Sequence, residues 1–224
     1  MVELMLSVRE LGISYGATIV LSGLDLSLAR GEAVAVMGPS GSGKSSLLAC
    51  VTGMMLPTHG RVEVAGHVVS EMKASARTSI RRTTLGLVFQ DPDLLPELNV
   101  EENVALTLLF DGYRRDRALA QARQALADVG LEEHAAKRTD EISGGQAQRV
   151  ALARALVRPE MSLLVADEPT ASLDAANAHK MIDLLLARTR AVGAAALIAT
   201  HDRAVAEACD RVLMIRELAA EVAS

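Results

Sequence analysis

The chain has 224 residues, half of them hydrophobic and 23% charged, with 23 Lys plus Arg against 28 Asp plus Glu for a formal charge of -5. That much apolar surface excludes a disordered chain, and the length fits one large domain or a core with a small insert. The acidic balance, the absence of Trp and the 2% aromatic content argue against a nucleic-acid footprint or a base-stacking platform.

Glu3, Arg9 and Glu10 interrupt the start, so no secretory leader is expected. Val2, Leu4, Leu6 and Val8 alternate with other residues as in a half-buried strand, and Leu24, Leu26 and Leu28 repeat the pattern before a turn at Arg30-Gly31. Ala33 to Met37 reads as a short apolar strand, followed by a glycine-rich loop and a helix from Lys44 to Gly53. The charge-free stretch from Ser45 to Leu56 contains Gly53 and falls short of the roughly 20 residues that cross a bilayer, so any membrane role would use a partner. Pro57 to Gly60 turns the chain into a strand at Arg61 to Val64, and Leu85 to Phe89 reads as another buried strand. The first ninety residues are therefore expected to be mainly sheet.

The pattern changes at Asp91-Pro92. Asn99 with Glu102 forms a capping-box start to a helix through Leu109, and Arg117 to Val129 has apolar residues at helical spacing with Gly130 as its cap. A further helix begins near Ser143 and stops before Pro159. Ser162 to Ala166 and Ala195 to Thr200 are apolar strands separated by a helix over Ala175 to Arg190, and the tail from Leu218 reads as a terminal helix or fray. This order places a helical insert at 91–158 within an α/β core.

Four segments carry chemistry. Gly38-Pro39-Ser40-Gly41-Ser42-Gly43-Lys44-Ser45, with Ser46 next, follows a strand and opens a helix, as a phosphate-binding loop must. Glycines let consecutive N–H groups curve around an anion, Lys44 reaches the outer phosphates and Ser45 supplies a hydroxyl for Mg²⁺. Leu163 to Glu168 ends an apolar strand in two carboxylates, of which Asp167 suits a metal and Glu168 suits polarising a water. Ile142-Ser143-Gly144-Gly145-Gln146 is a second glycine-rich helix start, which a single-site nucleotide enzyme would not need. His201 follows the strand ending in Ala-Thr.

At this point the sequence resembles the ATP-binding-cassette ATPases, over nearly its whole length and in the expected order. The resemblance implies a P-loop (RecA-like) core at 1–90 and 159–224, with an N-terminal antiparallel β subdomain and an inserted helical subdomain at 91–158. It makes Ser143, Gly144, Gly145 and Gln146 the signature that one subunit contributes to the nucleotide on the phosphate loop of another; the family's usual first residue is Leu, and Ile142 departs from it conservatively. It makes Tyr15 the aromatic on adenine, Gln90 the sensor of metal and attacking water, His201 the switch that contacts the γ-phosphate and orients Glu168, and Asp174 part of the loop at the dimer interface. Ser172 and Asp174 also suit a helix cap.

The implied protein is an ATPase using ATP and Mg²⁺, working as a homodimer that drives separate transmembrane permease subunits from the cytoplasmic face of the cell membrane. The stretch Phe89 to Leu106 looks like that of ATPases serving lipoprotein-releasing and macrolide-exporting systems. The competing class is a soluble relative acting on nucleic acid or in translation; such relatives carry long coiled-coil inserts or paired cassettes, which 224 residues do not accommodate. No nucleic-acid partner is expected. Cys50 and Cys209 read as buried thiols, His59, His67, His134 and His179 as structural or surface residues, and Arg77, Arg81, Arg82, Arg114, Arg115 and Arg117 as solvated helical faces, with a lipid headgroup or a partner as the alternative for the arginines.

Overall fold

The computed structural model describes residues 3–215, so the expected strand residue Val2 and the tail from Leu218 lie outside the described residues. In chain order the elements are β1 (Leu4–Tyr15), β2 (Thr18–Ala29), β3 (Ala33–Met37), α1 (Lys44–Val51), β4 (His59–Val64), β5 (His67–Val68), α2 (Ala74–Thr84) and β6 (Leu85–Val88). They continue as α3 (Val100–Phe110), α4 (Arg115–Asp128), α5 (Gly144–Leu156), β7 (Leu163–Asp167), α6 (Ala175–Ala191), β8 (Ala195–Ala199), α7 (Arg203–Glu207) and β9 (Arg211–Met214).

Two sheets result. An antiparallel sheet has the order β2-β1-β4-β5, and a parallel sheet has the order β6-β7-β8-β3-β9. The central strands β3, β7 and β8 are buried along nearly their whole length and read as continuous apolar runs, as parallel strands covered on both faces must. Side-chain alternation then decides which core each residue joins. Leu163, Val165, Leu197 and Val36 pack with α1 and the antiparallel sheet, whereas Leu164, Ala166, Ala196 and Ile198 pack with α3, α4, α5 and α6. Leu47 of α1 is fully buried, a contribution of about 1.5–3 kcal/mol for a side chain of its size.

The expected capping box is present: the Asn99 side chain accepts from Glu102 N at 2.8 Å while Asn99 N donates to the Glu102 carboxylate at 3.2 Å. Two expectations change. The first ninety residues contain α2, which has no buried residue and is held by its arginines instead of an apolar stripe, so hydrophobic periodicity did not reveal it. Those arginines are not simply solvated. Arg77 donates to Gly53 O at 2.9 Å and Met72 O at 2.7 Å, Arg81 to Gly53 O at 3.1 Å, and Arg82 pairs with Asp111 at 3.2 Å, whereas Arg114, Arg115 and Arg117 are exposed, as a solvated face requires. Cys50 is buried and Cys209 half-buried, and burial pushes both thiols up to about 11.

Candidate functional site

Every parallel strand delivers its last residue to one edge of the sheet, and the chemistry-bearing residues gather there. The loop after β3 runs through Gly38 to Gly43 into α1. A side chain at Gly38 would put a Cβ 2.5 Å from Ile215 O and 2.7 Å from Ser42 Oγ, so only glycine fits where the loop leaves the strand. Gly43 caps α1 at φ 95°, a conformation that strains any L residue. Leu47 is the first amide of α1 with a backbone acceptor, Gly43 O at 2.8 Å. The N–H groups of Lys44, Ser45 and Ser46 have no acceptor among the described residues and open toward the cradle.

Lys44 Nζ donates to Gly38 O at 2.8 Å and Pro39 O at 2.9 Å, folding its charge over the loop. Ser42 Oγ is buried and has no partner among the described residues. Pro39, Ser40 and Gly41 form the exposed or half-exposed outer part of the turn. Free amides, an unpartnered hydroxyl and an ammonium on one concave loop fit a polyphosphate.

Ser45 Oγ donates to Asp167 Oδ2 at 2.8 Å, joining the loop to the end of β7. Both residues, with Phe89, line a cleft of about 180 Å³ between α1 and the strands β6 and β7. Gln90 follows Phe89, is exposed, and its amide side chain bonds to no described residue. A hydroxyl, a carboxylate and an amide oxygen are the hard donors that suit Mg²⁺, whereas no cluster of three or more His, Cys, Asp or Glu exists among the described residues.

Glu168 stands directly after β7 at φ 46°, a left-handed conformation that a bulky residue adopts only when its surroundings hold it. They do so here: Glu168 N donates to Ala199 O at 2.9 Å, Thr200 Oγ1 donates to Oε2 at 3.2 Å, and Oε1 lies 2.7 Å from His201 Nδ1. Thr200 is fully buried and also accepts from Asp202 N at 3.0 Å. In the sequence Thr200 is marked only by its place before His201.

Tyr15 is 55% exposed, with its hydroxyl 3.3 Å from Ser46 Oγ, so an exposed ring stands beside the start of α1. Ser143, Gly144, Gly145 and Gln146 are not drawn to this cluster: no hydrogen bond among the described residues joins them to the phosphate loop. Ser143 caps α5 in a full capping box with Gln146, and Gly145 packs on the backbone of Ser172. Asp174 caps α6, and the Asn177 backbone amide, followed by its side-chain amide, holds the Asp174 carboxyl below the usual carboxylate range.

Two further residues belong to the surroundings of the second glycine-rich helix start, of which Gln148 has no role assigned from the sequence. His134 Nε2 lies 3.0 Å from Gln146 Nε2, a contact that no spacing announces. Gln148 is fully buried on α5; its only signal was a polar residue on the apolar stripe shared with Ala151, Leu152 and Ala155.

Comparison with known proteins gives a consistent result. Residues 21–171 match the family model described as ABC transporter. Lipoprotein-releasing system ATP-binding proteins are similar over most of their length: that of Rhodospirillum rubrum is 44% identical over 88% of this chain and 87% of its own, and that of Novosphingobium aromaticivorans is 45% identical over 93% and 95%. Among solved structures, a dimeric bacterial ABC transporter cassette, MJ0796, superposes with a TM-score of 0.87 at 33% identity, covering 95% of this chain and 94% of that one. The same cassette in a dimeric post-hydrolysis state bound to ADP and Pi gives 0.87 over 95% and 96%.

Proposed function

This chain belongs to the ABC transporter family and is the ATP-binding, ATP-hydrolysing subunit of a transporter, and from that premise we propose how its residues divide the work. The reading is of two copies closing around two ATP molecules and driving separate transmembrane permease subunits from the cytoplasmic face of the membrane. Among the described residues no helix is long and apolar enough to cross a membrane, in keeping with attachment through a permease. The permease system is of the lipoprotein-releasing type, a reading supported by relatives 39–45% identical over 88–97% of this chain. No observation favours a nucleic-acid role.

In this scheme 1–90 and 159–224 form the nucleotide-binding core and 91–158 the helical subdomain that carries the signature. Tyr15 stacks on the base. The loop from Gly38 to Ser46 holds the phosphates through free amides and Lys44. Ser45, Asp167 and Gln90 hold Mg²⁺, which when bound neutralises charge on the phosphate oxygens. Glu168 takes the proton of the attacking water, with His201 and Thr200 fixing its carboxylate. Ser143, Gly144, Gly145 and Gln146 complete the site of the opposite subunit, and Asp174 lies at the interface between the two. ATP binds the closed pair better than the open one, and that difference in affinity is what does work on the permease.

The observation that carries the reading is the convergence at one sheet edge of the amide-lined loop, the Ser45–Asp167 contact and the strained, doubly bonded Glu168. The test is Lys44→Ala. ATP turnover should disappear while the circular dichroism spectrum stays that of the parent; retained turnover in a folded variant means the loop is not the nucleotide site.

A further inference from the structure

Gln148 lies two positions beyond the signature on α5 and is completely buried. Its side-chain Nε2 donates to Pro169 O at 3.1 Å and reaches Phe89 O at 3.4 Å. Each acceptor is the immediate neighbour of a residue at the site: Pro169 follows Glu168, and Phe89 precedes Gln90. The Gln148 amide is thus the one side chain among the described residues that bonds to both segments. The two carbonyls fix its orientation, because only the nitrogen can donate, and its Oε1 is left buried without a partner.

The buried Oε1 without a partner is costly, and an apolar side chain in place of Gln148 would instead strip a donor from Pro169 O and Phe89 O. What distinguishes Gln at this position is that its one donor group serves carbonyls of two separate segments. A second contact ties the same helix to the same loop. Arg154, further along α5, donates to Asp93 O at 2.8 Å and Pro92 O at 2.7 Å. The segment 89–93 is consequently fastened to α5 at both ends of the stretch, and Asp93, at the second hold, has φ 48°. The helix whose first turn is the signature and the loop that carries Gln90 are one mechanical unit, and Gln148 extends that unit to the carbonyl next to Glu168.

Building on the reading under Proposed function, we propose that Gln148 is a positioning residue for hydrolysis. It sets the backbone beside Gln90 and Glu168 together, so that the seating of Ser143–Gln146 against a nucleotide is transmitted to the groups that hold the attacking water in the same chain's own site. ATP binding does not need this alignment; the chemical step does. A displacement of about 1 Å at the reacting groups costs about 100-fold in rate, so loss of the shared bonds lowers kcat and leaves nucleotide affinity unchanged.

The experiment uses the full chain and ATP. Gln148→Met keeps length and volume and removes both donors. Turnover at saturating ATP should fall about 10- to 100-fold, with equilibrium ATP binding within about threefold of the parent. Gln90→Ala should also lower turnover, and the double variant should be no slower than the slower single, because both act on one alignment. A Gln148→Met chain that turns over within about twofold of the parent, or whose defect multiplies with that of Gln90→Ala, overturns the proposal.

Lys44→Ala and Glu168→Gln run alongside as controls. If neither removes the turnover of the parent, the assignment of the site itself has failed, which is a different outcome. If Gln148→Met melts well below the parent, hydrogen exchange in the Glu168→Gln chain decides the matter. Added ATP should alter protection in 89–93, 144–149 and 168–171 with one common midpoint, and separate midpoints overturn the coupling.

Discussion

His201 Nδ1 and Glu168 Oε1 lie 2.7 Å apart across the ends of the neighbouring strands β8 and β7, and the two residues differ sharply in exposure: the imidazole is 75% exposed and the carboxylate 13%. The pair therefore links a sheltered carboxylate to a side chain that a ligand at the sheet edge can touch. A ligand that moves the ring moves one of the two contacts that aim the carboxylate, the other being buried Thr200.

Glu168→Gln should retain ATP binding and slow hydrolysis by about 100-fold or more, since a positioned general base contributes about 10² to 10⁴. The amide still bonds to Thr200 and His201, so the fold survives. ATP-bound dimers should accumulate by light scattering. Turnover within about threefold of the parent would remove Glu168 from the role of base.

Ser143→Arg tests whether the second glycine-rich helix start faces a nucleotide across the subunit interface. Among the described residues no hydrogen bond ties Ser143 to its own phosphate loop, so the isolated monomer should bind ATP with near-parental affinity. Loss of the cap on α5 costs about 1 kcal/mol, which a thermal melt will register. In a Glu168→Gln background no ATP-dependent dimer should form; a persistent dimer means the composite site must be abandoned.

Arg158 carries a buried charge, 7% exposed, whose carboxylate partner Asp111 lies at 2.9 Å; burial holds the guanidinium below its ordinary range and Asp111 pushes it back up. Asp111→Ala should destabilise by about 3–5 kcal/mol because it strands that charge, and Arg158→Met should cost clearly less. Urea titration of the two variants checks the order. The reverse order would mean that the arginine is held by packing and by its bond to Thr107 O at 3.4 Å.

Burial pushes the Cys50 thiol from 9.0 up to about 11. For an acid whose folded value is raised, the stabilisation is complete below the unfolded value and is lost as pH climbs through the folded one, because only the unfolded chain ionises early. The native chain should therefore lose stability between pH 9.0 and about 11 to a greater degree than Cys50→Ala does. Denaturant midpoints measured across that window should converge for the two chains; parallel curves would show that Cys50 does not contribute.

The glycine-rich loop after β3, the paired carboxylates after β7, the second glycine-rich helix start and the order of most strands and helices are legible in the amino-acid sequence by itself. Each of these is local: glycine spacing, an apolar run ending in acids, or a cap followed by a 3.6-residue period is complete within a few residues. What it could not determine is held by groups far apart in the chain. Ser45 meets Asp167, 122 residues away, and Glu168 is held by Thr200 and His201 from the next strand, 32 and 33 residues on. Helix α2 escaped notice because its arginines bond to carbonyls of other segments and no apolar stripe marks it. In the linear sequence Gln148 is a polar interruption in an apolar helix face. Its meaning arose only when parallel pairing of β6 with β7 brought Phe89 and Pro169 to the same buried amide, because a hydrogen bond depends on where two groups lie in space and a linear pattern does not record that.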